Sequence, residues 1–379
     1  MKIGTLIQQS AGFKAFIPAE FPPKESLGLT DLTHKLHAKA SLMLGKLDGI
    51  TQLLPDLDFF IFMYVRKEAA YSTQIEGTKA TMIDAILAET EMTRDLPPDV
   101  DDILHYIQAM NYGLKRLEKL PLSSRLIREI HKILMKGARS NHYSSLGEFR
   151  TSQNWIGGGS PQTARFVPPP VDQMQRSLSD LEKFLYVQDD MLPLIKTALA
   201  HAQFETIHPF LDGNGRTGRL LVTFYLCQQK ILERPVLYLS EYLKQNRDNY
   251  FDLLHGYHNG NIVLWINFFL EGVAKVADQA VKIARQITKL REKDISTIHV
   301  LGKRAETATV VLKNLYRLPI INVKKIEEWT NLSRPSANKL VKDFVKLGIL
   351  KQRDEKTQYA RQFEYKEYLR IFAENKKSI

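Results

Sequence analysis

The residues best equipped for chemistry crowd into one stretch, 208–219, which reads HPFLDGNGRTGR. It holds an imidazole (His208), a carboxylate (Asp212), three glycines (Gly213, Gly215, Gly218) and two guanidiniums (Arg216, Arg219). Gly213-Asn214-Gly215 can expose successive backbone N–H groups, and a helix beginning near Arg216 would add the positive end of its dipole at the same place. Arg216 and Arg219 stand at i and i+3, on one face of such a helix. An amide nest flanked by two guanidiniums is a clamp for a polyphosphate. Asp212 offers a hard oxygen suited to Mg²⁺ bridging phosphates. His208, titrating near neutral pH, is placed to take a proton from an incoming hydroxyl.

The same glycines also spell G-x-G-x-x-G, with Glu233 about twenty residues further on, the outline of a dinucleotide fingerprint. That fingerprint must follow a strand. Here Leu194, Ile195, Ala198, Leu199, Ala202 and Phe204 recur at helical spacing before the glycines, with no β-branched apolar run. Glu233 would fall after a long helix instead of a second strand. The arrangement is helix, loop, helix, and the glycines serve an anion site without a Rossmann strand.

The elements that must position this loop are mostly helical. Apolar spacing predicts helices at about 27–53, 56–76, 78–92, 101–119, 123–137, 171–187, 191–206, 216–231, 240–256, 260–288 and 301–316. Asp95–Asp102, with Pro97 and Pro98, is the first clear break. Residues 147–170 hold three consecutive glycines and three consecutive prolines, which exclude helix; Phe149–Ile156 and Ala164–Val167 read as two strands of a hairpin. Near the C-terminus, Val323–Trp329 and Arg334–Leu347 read as helices around the turn Asn331-Leu332-Ser333, with Ser333 as N-cap, Pro335 in the first turn and Gly348 as the stop. Ile349–Gln352 and Arg361–Tyr365 read as a wing, which completes a winged helix-turn-helix.

Composition sets the frame. The chain has 379 residues, 44% hydrophobic and 25% charged, enough for two or three globular domains. Its single cysteine, Cys227, excludes disulfides within the chain and suits a reducing cytoplasm. No signal peptide or bilayer-spanning run is evident, so the expectation is a soluble cytoplasmic protein with no membrane partner. Residues 301–379 carry 18 Lys and Arg against nine Asp and Glu, a net of +9 within a total of +11. A basic end module of this kind suggests an acidic partner such as DNA.

HPFLDGNGRTGR matches every fixed position of the motif HPF-x-[DE]-GNGR-x-x-R, and the chain therefore resembles the Fic family (Fic/DOC superfamily) over roughly residues 60–290. The resemblance implies a mainly α fold: a Fic-type helical core with a β-hairpin flap, plus a small C-terminal winged helix-turn-helix. The implied organisation is an N-terminal helical region (1–100) carrying an inhibitory helix, a catalytic core (101–290) and the winged module (291–379). Such proteins typically transfer AMP from ATP to a protein hydroxyl. His208 would then be the general base, Asp212 the Mg²⁺ ligand, and Gly213, Asn214, Gly215, Arg216 and Arg219 the phosphate-binding set, with Gly218 letting the helix pack closely. Thr163, Ala164, Arg165 and Phe166 would form the flap beside adenine or the target strand. Asn249 and Tyr250 resemble nucleotide-side residues in position.

A second match lies upstream. Residues 72–77, STQIEG, fit the family's inhibitory motif [ST]-x-x-x-E-[GN], with Ser72 and Glu76 at i and i+4 on one helical face. By resemblance, Glu76 would pair with Arg219 and deny it to the γ-phosphate. The implied activity is an autoinhibited protein adenylyltransferase using ATP as substrate with Mg²⁺, acting on a Ser, Thr or Tyr hydroxyl of a target protein. Self-modification, a homodimer and DNA at the winged module are the further partner expectations. Relatives that transfer phosphate or phosphocholine use variant motifs; GNGR with both arginines favours ATP. Two other readings carry distinct predictions: a DNA-binding regulator whose Fic core senses nucleotide, and an enzyme in which Glu76 positions water to remove AMP.

Overall fold

The computed structural model describes residues 3–23, 25–52, 57–90, 95–137, 146–187, 189–357, 359 and 361–373. In chain order its elements are β1 (Gly4–Gln8), β2 (Lys14–Pro18), α1 (Asp31–Gln52), α2 (Leu57–Ile75), α3 (Met82–Glu89), α4 (Val100–Leu117), α5 (Ser124–Leu134), α6 (Val171–Tyr186), α7 (Pro193–Ile207), α8 (Asn214–Gln228), α9 (Ser240–Gln245), α10 (Arg247–His258) and α11 (Ile262–Ile298). After a 3₁₀ segment at His299–Arg304 come α12 (Ala305–Leu315), β3 (Ile320–Asn322), α13 (Val323–Thr330), α14 (Arg334–Lys346), β4 (Lys351–Gln352), β5 (Gln362–Glu364) and α15 (Lys366–Phe372). The fold is mainly α with two small antiparallel sheets, β1-β2 and β3-β5-β4. No helix among the described residues is long and apolar enough to cross a membrane.

The chain forms two compact units that interleave in sequence: Met1–Asp48, Glu68–Lys79 and Asp101–Asp278 in the first, Gly49–Lys67, Ala80–Val100 and Gln279–Ile379 in the second. The residues expected as one N-terminal region, 1–100, are therefore divided between both.

In the first unit α7 and α8 are buried on every side. Along α7, Leu194, Ile195, Ala198, Leu199, Ala202, Phe204 and Ile207 are core, and the polar Lys196, Thr197, His201, Gln203 and Thr206 are buried with them. A helix buried all round belongs at the centre of a core. Gly218 lets α8 approach: a Cβ there would lie 2.4 Å from Glu205 Oε1 and 3.1 Å from the Phe204 ring. Gly113 plays the same part between α4 and α8, where a Cβ would meet the Phe224 ring at 2.4 Å.

Three local differences from the sequence reading have physical causes. The expected helix over 240–256 is two helices, broken at Asn246, which leaves helical geometry (φ −116°, ψ 35°) while its side-chain amide (2.8 Å) and its backbone N–H (3.1 Å) both donate to the Tyr242 carbonyl. The expected two-stranded hairpin at 147–170 is a single antiparallel bridge, Ile156 to Phe166, with Gly157 and Gly158 at φ 70° and 79°. Its flanks are held elsewhere, Arg150 N–H by the Pro209 carbonyl, and Pro168–Pro170 have no N–H to give a ladder. Finally, β1 and β2 form an unforeseen hairpin in the register Gly4↔Pro18 to Gln8↔Lys14, turning near Gly12 at φ 83°.

In the second unit, α13 ends at Asn331 (φ 54°), and α14 opens at Ser333 and buries Ala337, Leu340, Val341 and Phe344. The Ser333 hydroxyl bonds Ser336 Oγ instead of a backbone amide. The expected strands are the short β4 and β5, and β3 adds a third on the other edge of β5. A buried tyrosine cluster, Tyr316, Tyr365 and Tyr368, closes the unit, with Tyr365 donating to Asp294.

Candidate active site

The 208–219 loop joins the C-terminus of α7 to the N-terminus of α8. His208 caps α7 in the left-handed region (φ 49°), and Gly213 (φ 77°) opens α8. Two residues with positive φ bracket a loop that must reverse between packed helices. Its shape is fixed from inside: Asn214 Oδ1 accepts from Phe210 N–H (2.9 Å) and Asn214 Nδ2 donates to the Phe210 carbonyl (2.8 Å). The Asn214 side chain, expected among the phosphate contacts, is thus engaged by the loop itself. Asp212 Oδ1 accepts from Gly213 N–H at 2.6 Å.

Three residues that sequence reasoning missed clamp the loop from outside. Arg150 is 2% exposed and donates to the carbonyls of His208 (3.0 Å), Pro169 (2.5 Å) and Ser152 (3.1 Å). Burial lowers its guanidinium to about 10. Asn154 Nδ2 donates to the His208 (3.1 Å) and Phe210 (2.8 Å) carbonyls. His131 on α5 accepts Gly147 N–H at Nδ1 (3.1 Å), which leaves Nε2–H to donate to the Asp212 carbonyl (2.9 Å); its ring stacks on Phe210 at 3.7 Å. Apart from Arg150 to Ser152, all three work through backbone groups far away in sequence, so no spacing pattern announces them.

A cleft of about 840 Å³ opens over this loop. His208, Asp212, Gly213, Asn214, Gly215 and Arg219 line it from the loop and α8, and Glu76 from the end of α2. Tyr250 lines it from α10, and Arg165 and Phe166 from the flap. Arg216, Gly218, Asn249, Thr163 and Ala164 do not line it. Gly218 sits in the α7–α8 contact, and Asn249 is exposed on α10. Phe166 stacks on His258 at 3.9 Å, and Arg165 pairs with Asp252. A second hollow of about 670 Å³ lies between the β1–β2 hairpin and the flap; it lacks His208, Asp212 and both motif arginines.

Glu76 meets both arginines. Its Oε1 accepts from Arg219 Nη2 at 2.8 Å. Its Oε2 lies 2.7 Å from Arg216 Nε, an ion pair in which the N–H is not aimed at the oxygen. Arg216 also has Asp212 at 3.8 Å and Asp102 at 3.9 Å. Ser72, one turn back on α2, accepts Arg219 Nε at its hydroxyl (2.7 Å) and Arg219 Nη2 at its carbonyl (2.8 Å). Both guanidiniums are buried, with side chains 7% and 3% exposed, whereas the Glu76 side chain is 29% exposed. A charge-assisted pair between buried guanidiniums and a partly wet carboxylate is strong, yet its carboxylate half can be exchanged.

Burial also sets the protonation states. It lowers His208 to about 4, so the imidazole is neutral at physiological pH. Donation from Nδ1 to the Glu205 carbonyl (3.3 Å) leaves Nε2 as the basic nitrogen. Glu205, also missed from sequence, lines the cleft; burial raises its carboxyl to about 7, and its Oε1 has no hydrogen-bond partner. His131 and His201, 0% and 2% exposed, are lowered by burial to about 4.

These buried neutral rings have a consequence for stability. An unfolded histidine titrates near 6.5, so between about pH 6.5 and 4 the unfolded chain binds protons the folded one refuses. The contribution is fully present above the unfolded value and is lost as pH falls through that window. Going from pH 7 to 5.5, His131 and His201 should each remove about 1 kcal/mol of stability. Denaturant midpoints at the two pH values measure the loss, and NMR titration should find neither ring protonating above about pH 5; a ring titrating near 6.5 contradicts the burial argument.

Comparison with known proteins fits this geometry. Residues 121–226 match the sequence profile of the Fic/DOC family, and residues 34–115 that of the Fic/DOC family N-terminal region. "Protein adenylyltransferase Fic" of Drosophila erecta is 29% identical over 216 residues, 55% of this chain and 40% of that protein. The proteins of the same name from Drosophila yakuba and Drosophila ananassae show the same identity and coverage, so the chain spans about 40% of the length of these relatives. Among solved structures, a Fic family protein from Desulfovibrio desulfuricans G20 superposes with a TM-score of 0.58 at 18% identity, covering 91% of this chain and 98% of its own. A Fic domain containing signaling protein from Bacteroides thetaiotaomicron VPI-5482 gives 0.53 at 19% identity, covering 68% and 97%. At these identities the superpositions establish the shared fold. With the fold, both profiles and the complete HPFLDGNGRTGR loop in agreement, residues 34–115 and 121–226 carry the two Fic/DOC family domains.

Proposed function

We propose that this protein is an autoinhibited protein adenylyltransferase, transferring AMP from ATP to a Ser, Thr or Tyr hydroxyl of a target protein, itself included. The observation that carries the reading is one cleft holding a neutral His208, the Gly213–Gly215 backbone and Arg219, with Glu76 seated on the guanidinium. His208 Nε2 accepts the hydroxyl proton as the oxygen attacks the α-phosphorus; the bond to the bridging oxygen breaks and pyrophosphate leaves. The backbone amides at the start of α8 and Arg219 hold the phosphates, with Arg216 behind them. Arg165 and Phe166 flank the entrance, where a target strand would lie along the flap.

The donor set also fits a Mg²⁺ ion carried by the nucleotide. Asp212, its side chain 37% exposed, faces the cleft, and the described residues hold no cluster of three or more metal-ligating side chains. One carboxylate plus substrate phosphates is how Mg²⁺ is commonly held. When bound, the ion would neutralise phosphate charge at the leaving group. Label transfer from α-labelled ATP to protein, abolished by loss of His208, tests the assignment.

A separate observation favours a second role for the C-terminal elements. On α14, Arg334, Lys339, Lys342 and Lys346 are exposed, as are Lys351 on β4 and Arg353 and Lys356 in the turn after it. We read α13, α14 and the β3-β5-β4 sheet as a winged helix-turn-helix that docks on DNA. Lys339→Ala with Lys342→Ala should weaken duplex binding in a gel shift about tenfold at low salt and reduce the salt slope by about 2. Equal binding by both proteins removes this face from DNA recognition.

A further inference from the structure

Three acidic or hydroxyl side chains stand at four-residue intervals: Glu68 and Ser72 on α2, and Glu76 just past its last residue. The spacing puts them on one face, with Glu68 about 12 Å before Glu76 along the helix axis. Ser72 and Glu76 hold Arg219, as described. Glu68 does not line the cleft, so it touches no substrate there. It is 3% exposed, a carboxylate deep in the core, where burial raises its carboxyl. A group that is expensive to bury must have its oxygens filled.

They are filled from two other elements. Glu68 Oε1 accepts from the Ser240 hydroxyl (2.5 Å) and the Tyr106 hydroxyl (3.0 Å), and Oε2 accepts from Ser240 N–H (3.0 Å). Tyr106 and Ser240 are each 0% exposed. Tyr106 stands on α4, and Ser240 is the first residue of α9. Glu68 is therefore gripped from α4 and α9, while Ser72, one turn on, holds Arg219.

We propose that Glu68 is a positioning residue for Glu76: its three-donor grip fixes α2 along its axis so that the Glu76 carboxylate lies on the two arginines. This rests on the inhibitory reading of Glu76. The argument is geometric. Glu76 follows the last residue of α2, where the helix's own hydrogen bonds constrain it least. Holding a carboxylate within hydrogen-bond distance of Arg219 at that end requires α2 to be fixed upstream, and Glu68 is a directional anchor on the same face. Apolar packing sets depth but permits sliding; hydrogen bonds to a backbone N–H and two hydroxyls do not.

Glu68→Gln keeps the shape. Its amide oxygen still accepts Ser240 N–H, while the hydroxyls lose an anionic acceptor. Label transfer from ATP is measured for wild type, Glu68→Gln, Glu76→Gly and the double variant. The expected result is a rise of about three- to tenfold for Glu68→Gln over wild type, and equal rates for Glu76→Gly and the double variant. That dependence on Glu76 is the signature of positioning, because a merely structural role lowers the rate in both backgrounds. Tyr106→Phe, which removes one donor at nearly constant volume, should give a smaller rise with the same dependence and supplies the test if Glu68→Gln does not fold. A raised Glu76→Gly rate with no rise from Glu68→Gln or Tyr106→Phe overturns the positioning role alone. A Glu76→Gly rate equal to wild type overturns the inhibitory reading, and this inference with it.

Discussion

Glu76→Gly should transfer AMP about 10- to 100-fold faster than wild type, both to itself and to a target. The range follows from what the substitution removes. Glu76 engages two buried guanidiniums, and nucleotide phosphates must displace it to use them. A charge-assisted contact of this type is worth about 1.5–3 kcal/mol, and each 1.4 kcal/mol of competition is tenfold in occupancy. Glycine suits the position, which lies past the end of α2 and before Gly77 at φ 99°. The substitution also leaves Arg216 and Arg219 without their main anion, so the variant should melt lower than wild type when free and regain stability with ATP. Autoradiography after incubation with α-labelled ATP reads the rate, and thermal melting with and without ATP reads occupancy. A variant that binds ATP yet transfers no faster than wild type would falsify the inhibitory assignment.

His208→Ala should cut transfer about 10²–10⁴-fold, the usual contribution of one general base. The loss is best measured against the Glu76→Gly protein, where the starting rate is high. Burial lowers the imidazole to about 4, so at neutral pH it is almost wholly in its proton-accepting form. The acid limb of the rate profile of the free enzyme should accordingly lie well below the 6.5 of an ordinary histidine. The fold should survive. The side chain makes one hydrogen bond, 3.3 Å to the Glu205 carbonyl, and Arg150 and Asn154 hold the residue by its carbonyl, which alanine keeps. An unchanged melting temperature and ATP affinity beside a collapsed rate is the expected pattern. A rate within a few-fold of the parent would remove His208 from proton transfer.

How much of this was legible in the sequence follows from how the parts are held. The anion-binding loop was readable because His208, Asp212, the glycines and the arginines are consecutive, and because the helical spacing of Leu194 to Phe204 rules out a strand before them. Glu76 and Arg219 lie 143 residues apart, and only the resemblance of STQIEG to a known motif paired them. Arg150, Asn154 and His131 were invisible because, apart from Arg150 to Ser152, the backbone groups they bond lie 16 to 81 residues away, and a backbone group leaves no mark on sequence. Helix existence was plain from apolar periodicity, but the break at Asn246 is one residue leaving helical geometry, which periodicity does not register. The β1–β2 hairpin escaped because its strands are five residues each and the consecutive Leu6 and Ile7, on opposite faces of β1, are both exposed, which blurs the alternation a strand should show.

The contact between Glu76 and Arg219 joins two segments of one chain, and under the proposed inhibition this has a consequence for how the cell could work the switch. A free inhibitor is diluted with the protein it inhibits; a tethered one is not. Its effective concentration is fixed by geometry and is the same at every level of expression. Raising or lowering the amount of protein would leave the idle fraction unchanged. Control would have to come from whatever shifts α2 by an ångström or two, or from the supply of nucleotide set against an opponent whose local concentration never varies.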